Sequence, residues 1–239
     1  MSQQATLGPA APASLAPAPE LQNVVHPPAA PGPSACELRL AEIAVYAPLP
    51  ALLGPGDCGA NDAVRLEAIK LPGRPSIALD PPATLRCQLA ETVAHWIRDD
   101  VAPAAADLGS GLASIVNYDS YSCRGRNRIA GAKTSEHGRA NALDIRALRL
   151  ANGVTIEPTS PQMSWDFRNA VRRSACARFM TVLGPGSDGY HESHVHVDLA
   201  ERVRGYRMCR WDLRDGEIAA VPLPLPRPAA STDAKTMAK

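Results

Sequence analysis

Four of the six histidines lie between positions 137 and 196, in two short stretches. One reads Ser135-Glu-His137-Gly-Arg-Ala-Asn-Ala-Leu-Asp144-Ile, and the other His191-Glu-Ser-His194-Val-His196-Val-Asp. Side chains two apart on a strand point the same way. The second stretch has that alternation, so Glu192, His194 and His196 are expected on one face and Val195 and Val197 against a core. Asp144 also sits in a strand pattern, with Leu143 and Ile145 on the opposite side. A carboxylate leaving such a strand needs solvent or a partner. His137 comes just before it, where a loop can fold back. Two imidazoles and one carboxylate make a three-ligand zinc set, with donors at about 2.0–2.2 Å and a fourth position left for water. Two histidines and one carboxylate from these stretches are therefore expected to form a Zn2+ site of the catalytic kind. The plainer reading is a surface cluster of histidines beside an Asp paired with a nearby Arg.

These groups need a scaffold, and hydrophobic periodicity supplies one. A short helix is expected from Cys36 through Ala44, followed by a Pro/Gly-rich connector and a strand over Ala63–Ile69. A long helix is expected from Pro82 to Ala106, because Leu85, Leu89, Val93, Trp96, Ile97 and Val101 fall on one apolar face. That stripe reads as core packing, and His95 beside it as a structural or surface residue. Strands are expected over Leu112–Val116 and Tyr118–Cys123, then a loop rich in Gly, Arg and Asn to Thr134. Asn141–Leu150 and Val154–Glu157 form a hairpin across Ala151-Asn152-Gly153, where Asn-Gly is a strong turn signal. A helix over residues 161–178, with Pro near its start, and strands over Thr181–Leu183 and His194–Leu199 complete the set. Together they predict an α+β fold: one domain with a central antiparallel sheet flanked by helices.

That domain spans residues 36–220. Residues 1–35 and 221–239 are rich in Pro and Ala and poor in large apolar side chains, so both are expected to be disordered or polyproline-like tails. A net charge of +1 with no basic stripe argues against a nucleic-acid partner. No run of 18 or more apolar residues exists to cross a membrane. The six cysteines (Cys36, Cys58, Cys87, Cys123, Cys176, Cys209) are even in number, dispersed and free of CxxC spacing, which points to disulfides and an oxidising compartment. Several buried free thiols are the alternative. No export signal is visible at the start, so a periplasmic or extracellular location implies a start upstream or a removed segment.

Ser135-x-His137-x-x-Ala140-x-Ala142-x-Asp144 resembles the Ser-x-His-x-x-Gly-x-Ala-x-Asp signature of D-Ala-D-Ala metallopeptidases, with Ala140 in place of Gly. His194-x-His196 resembles the second motif of the wider lysostaphin, D-Ala-D-Ala peptidase and hedgehog clan. His191, His194 and His196 resemble the His-x-x-His-x-His arrangement of murein endopeptidases. More closely, SYSCRGRNR, SEHGRANALDI and VLGPG…HESHVHVDL look like the bacterial extensin-like C-terminal domain family. The resemblance implies His137, Asp144 and His196 as zinc ligands, His194 beside the attacking water and Arg124 as a substrate-orienting cation. Glu192 is a second candidate base, although it stands four residues before His196 where the dipeptidases place their Glu three before. His191 is a candidate for the substrate or oxyanion side, and Ser135 for substrate binding or for capping its loop. The implied function is hydrolysis of a peptide-type bond in peptidoglycan stem peptides or cross-links. A non-catalytic, metal-stabilised wall-binding module is the alternative.

Overall fold

The computed structural model describes residues 32–129, 131–157, 160 and 163–213. Ser34 opens the first helix, α1 (Ala35–Ile43), through a capping box with Glu37. The chain then turns directly into β1 (Ala44–Pro48). A small ribbon of β2 (Leu52–Leu53) and β3 (Gly59–Ala60) precedes two long strands, β4 (Ala63–Leu71) and β5 (Arg74–Arg86). Helix α2 (Cys87–Trp96) continues through a π-helical turn (Ile97–Val101) into α3 (Ala102–Ala106). Strands β6 (Leu112–Asp119), β7 (Ala142–Leu150) and β8 (Thr155–Ile156) follow, then α4 (Trp165–Arg178), β9 (Thr181–Leu183), β10 (Val195–Asp198) and β11 (Met208–Arg210). The tails predicted from composition lie outside the described residues, except for residues 32–35, where Ser34 already caps α1 and Ala35 begins it.

Among the described residues, nine strands form one sheet in the order β1-β4-β5-β6-β7-β10-β9-β11, with β8 paired to β7. The sheet is mixed, which corrects the antiparallel expectation: β5 runs parallel to β6, and β9 parallel to β11. The β5–β6 pair is parallel because α2 and α3 carry the chain back across the sheet between them. The predicted helix start at Pro82 is also corrected. Ala83 and Leu85 belong to β5, where they pair with Leu66 and Val64 and are fully buried. Leu85 stands two residues from Ala83 and four from Leu89, so it satisfies both periods, and the strand claims it. Strand β6 likewise runs unbroken to Asp119, and residues 120–123 leave the sheet instead of forming a strand of their own.

The helices cover one face. Leu89, Val93, Phe167 and Val171 share a core with Leu143, Ile145, Val182, Val195 and Val197 from the sheet. Alternation sends the intervening residues of β7, β9 and β10 to the other face. All six cysteines pair, as Cys36–Cys87, Cys58–Cys123 and Cys176–Cys209. Closing loops of 33 to 65 residues is worth about 4 kcal/mol each in the chain-entropy account.

Candidate metal centre

The uncovered face of β7, β9 and β10 floors a cleft of about 620 Å³. Asp144 and His196 are direct cross-strand partners on β7 and β10, so their side chains rise side by side. His137 reaches them from a 3-10 turn, Glu136–Arg139, which Ser135 caps by accepting from the His137 N–H at 3.4 Å. The turn is anchored from below, since its His137 carbonyl accepts from the N–H of Ser122. It ends on Ala140 in the left-handed region, at φ 52°.

Three ligand atoms converge. His137 Nε2 lies 3.2 Å from His196 Nδ1 and 3.2 Å from Asp144 Oδ1, and His196 Nδ1 lies 2.8 Å from the same oxygen. All three residues are buried, yet all three line the cleft. Donors about 2.0–2.2 Å from a tetrahedral cation would stand about 3.3–3.6 Å apart, so these separations suit one metal ion after a small expansion. The outer nitrogen of each ring is also engaged. His137 Nδ1 donates to the Ser120 carbonyl at 2.6 Å, and His196 Nε2 meets Asp198 Oδ2 at 3.2 Å. Metal-binding histidines are held in this way.

Electrostatics follow the geometry. Burial opposes the charge on Asp144, but His137 and His196 outweigh it and hold its carboxyl well below the usual range. Burial likewise opposes a charge on His196, and Asp144 and Asp198 prevail, raising it to about 9. His194 goes the other way: burial, reinforced by the neighbouring imidazoles and only opposed by Asp144, lowers its pKa. Its Nε2 lies 3.4 Å from Asp144 Oδ2, and its Nδ1 is buried without a hydrogen-bond partner.

The other predicted residues divide. His191 lines the cleft with Nδ1 at 2.7 Å from Asp188, and its ring is 5.1 Å from that of His194. Arg124 lines it as well, donating through Nη2 to Asp119 at 2.9 Å. Ser135 lines it beneath the capped turn. Glu192 does not join them. The strand begins at Val195, and Glu192 is exposed, its carboxylate accepting from the Gly186 N–H at 3.0 Å and 3.2 Å. Asp198 was missed from sequence, although the same two-residue step that joins His194 to His196 reaches it. Asp188, three residues before His191, carried no comparable signal.

The family model described as "Extensin-like protein C-terminus" matches residues 34–210. No curated protein and no solved structure matches the chain.

Proposed function

The chain belongs to the extensin-like protein C-terminus family, and from that premise we propose that it is a zinc-dependent hydrolase cleaving an amide bond in peptidoglycan stem peptides or cross-links. The observation that carries this reading is the meeting of two imidazole nitrogens and a carboxylate oxygen on one point of an open cleft. Two imidazoles with one carboxylate are a donor set of catalytic zinc sites, shared with non-haem ferrous iron, and the likeness to the zinc-peptidase motifs is what favours zinc. The likeness to the D-Ala-D-Ala metallopeptidase signature gains support from Ala140. Its left-handed backbone is one that Gly adopts freely, and Gly is what the signature has at that position.

His137, Asp144 and His196 would hold the cation. When bound, it supplies Lewis acidity, bringing the pKa of water near neutrality and polarising a carbonyl. His194 provides the base. Burial keeps it neutral, and its Nε2 faces Asp144 at 3.4 Å, which places that nitrogen toward the cluster. His191, braced by Asp188, lines the cleft next to it and is assigned to the developing oxyanion. Arg124 is assigned to a substrate carboxylate, for which its fork of donors is suited while Asp119 fixes one end. Three disulfides suit work in an oxidising space such as the periplasm or cell exterior.

The rival reading, a wall-binding module that keeps metal for stability, draws on Glu192, whose carboxylate is spent on Gly186. Two measurements decide. Zinc stoichiometry is expected near one in wild type and near zero in His196→Ala; no zinc in wild type refutes the metal centre. Muropeptide release from purified peptidoglycan is expected from wild type and not from His194→Ala. Zinc-loaded wild type that leaves peptidoglycan intact favours the module.

A further inference from the structure

Resting on the metal-centre reading, we infer that Asp198, locked by Thr181 and Arg202, is a positioning residue that decides which nitrogen of His196 is free to take a cation. The hydrogen-bond directions follow from donor chemistry alone. Arginine only donates. Arg202 donates through Nη1 to the Met180 carbonyl at 2.9 Å and through Nη2 to Thr181 Oγ1. With a proton already on that oxygen, Thr181 turns its own hydroxyl hydrogen to Asp198 Oδ1. The Ala200 N–H adds a second donor to the same oxygen at 3.0 Å. Asp198 is thereby fixed with Oδ2 against His196 Nε2, at 3.2 Å.

A carboxylate oxygen accepts, so Nε2 donates. The ring then offers its lone pair at Nδ1, the atom that faces Asp144 and His137. His137 achieves the same outcome through the Ser120 carbonyl, which no side-chain substitution at Ser120 removes. His196 depends on a side chain, and Asp198 and Thr181 are 4% and 3% exposed, leaving water little room to substitute. The cross-strand pairing of Asp198 with Thr181 aligns the two groups.

The test is zinc affinity, measured by competition with a chromophoric chelator in wild type, Asp198→Ala and Asp198→Asn. In Asp198→Asn the Ala200 N–H still requires an oxygen, so the amide NH2 falls to Nε2. Nε2 must then accept, the ring's one hydrogen sits on Nδ1, and a cation can enter only by removing that last proton or by breaking the Nε2 contact. Asp198→Ala leaves Nε2 free to keep its hydrogen. We expect Asp198→Ala to lose about 10–100-fold, the usual cost of removing such a partner, and Asp198→Asn to lose more. A purely structural role predicts the reverse order, since Asn preserves the shape. Asp198→Asn binding as tightly as wild type, or more tightly than Asp198→Ala, overturns the inference. If melting of the metal-free variant reveals that Asp198→Asn does not fold, Thr181→Val takes its place. A several-fold loss is then expected, and unchanged affinity overturns the inference. Wild type that binds no zinc overturns the hydrolase reading together with this one, whereas zinc-binding wild type matched by Asp198→Asn overturns this one alone.

Discussion

Asp144 and His196 face each other across two antiparallel strands, with Oδ1 and Nδ1 2.8 Å apart, inside a sheet face that the helices leave uncovered. Without a cation this contact is a buried ion pair, because the ring keeps its charge up to about pH 9. Asp144→Asn removes the nearer of the two carboxylates that face that charge, leaving Asp198 alone. Removing one member of a buried pair costs about 3–5 kcal/mol. Urea unfolding in the presence of chelator should reveal a loss of that order, together with loss of zinc binding.

The pH dependence of the metal-free protein has a defined sign. The folded pKa of His196 is raised above 6.5, so its stabilisation is complete below that value and is lost as pH rises through about 9. Asp144 is depressed, so its share is present above the ordinary carboxylate range and is lost in acid. Chelator-treated protein should therefore melt at lower temperature at pH 10 than at pH 7. Zinc replaces the proton on His196, so the zinc-loaded protein should lose less over the same interval. Equal slopes with and without zinc would count against His196 as a ligand.

His194 and Glu192 should separate cleanly in turnover. His194 stands in the cleft beside Asp144, and Glu192 is exposed and caps Gly186. Removing a general base costs about 10²–10⁴-fold. His194→Ala should fall by that range in muropeptide release with zinc content retained, whereas Glu192→Gln should stay within a few-fold of wild type. A large loss in Glu192→Gln would return that carboxylate to the mechanism.

Gly138 follows the proposed ligand His137 and lies against the Cys58–Cys123 disulfide. A Cβ added there would sit 2.9 Å from Thr134 Cγ2 and 3.1 Å from Cys58 Sγ. Gly138→Ala must shift the turn, and its zinc affinity should fall at least several-fold. Replacing Cys58 and Cys123 by Ser should lower both zinc affinity and stability. The Cys36–Cys87 pair bridges α1 to the start of α2 and touches no ligand loop, so its loss should lower stability alone. Calorimetry and chelator competition on the two double variants distinguish these outcomes.

Much of the site is legible because a strand's two-residue rhythm is local. Leu143 and Ile145 beside Asp144, and Val195 and Val197 beside His196, declare which side is wet. The same rhythm reaches Asp198, but reading a metal site as its ligands alone passes over the carboxylate behind them. Glu192 was misplaced by extending the strand back past His194, into a loop whose Gly186 and Gly189 adopt positive φ. The parallel β5–β6 pair escaped notice because residues from Pro82 onward were assigned to a helix, and without β5 there was no crossover to recognise. Disulfide partners depend on distances closed by the whole fold, and no spacing between cysteines encodes them.

The register of β7 against β10 sets Leu143 opposite Val197, Asp144 opposite His196 and Ile145 opposite Val195. Sliding β10 by a single residue would drive an imidazole into oil and strand two valines in water, and sliding β7 would bury a carboxylate and expose a leucine and an isoleucine. Misalignment is thus penalised twice, once by each face. The alternation that delivers the reactive groups also proofreads the pairing of the strands that carry them.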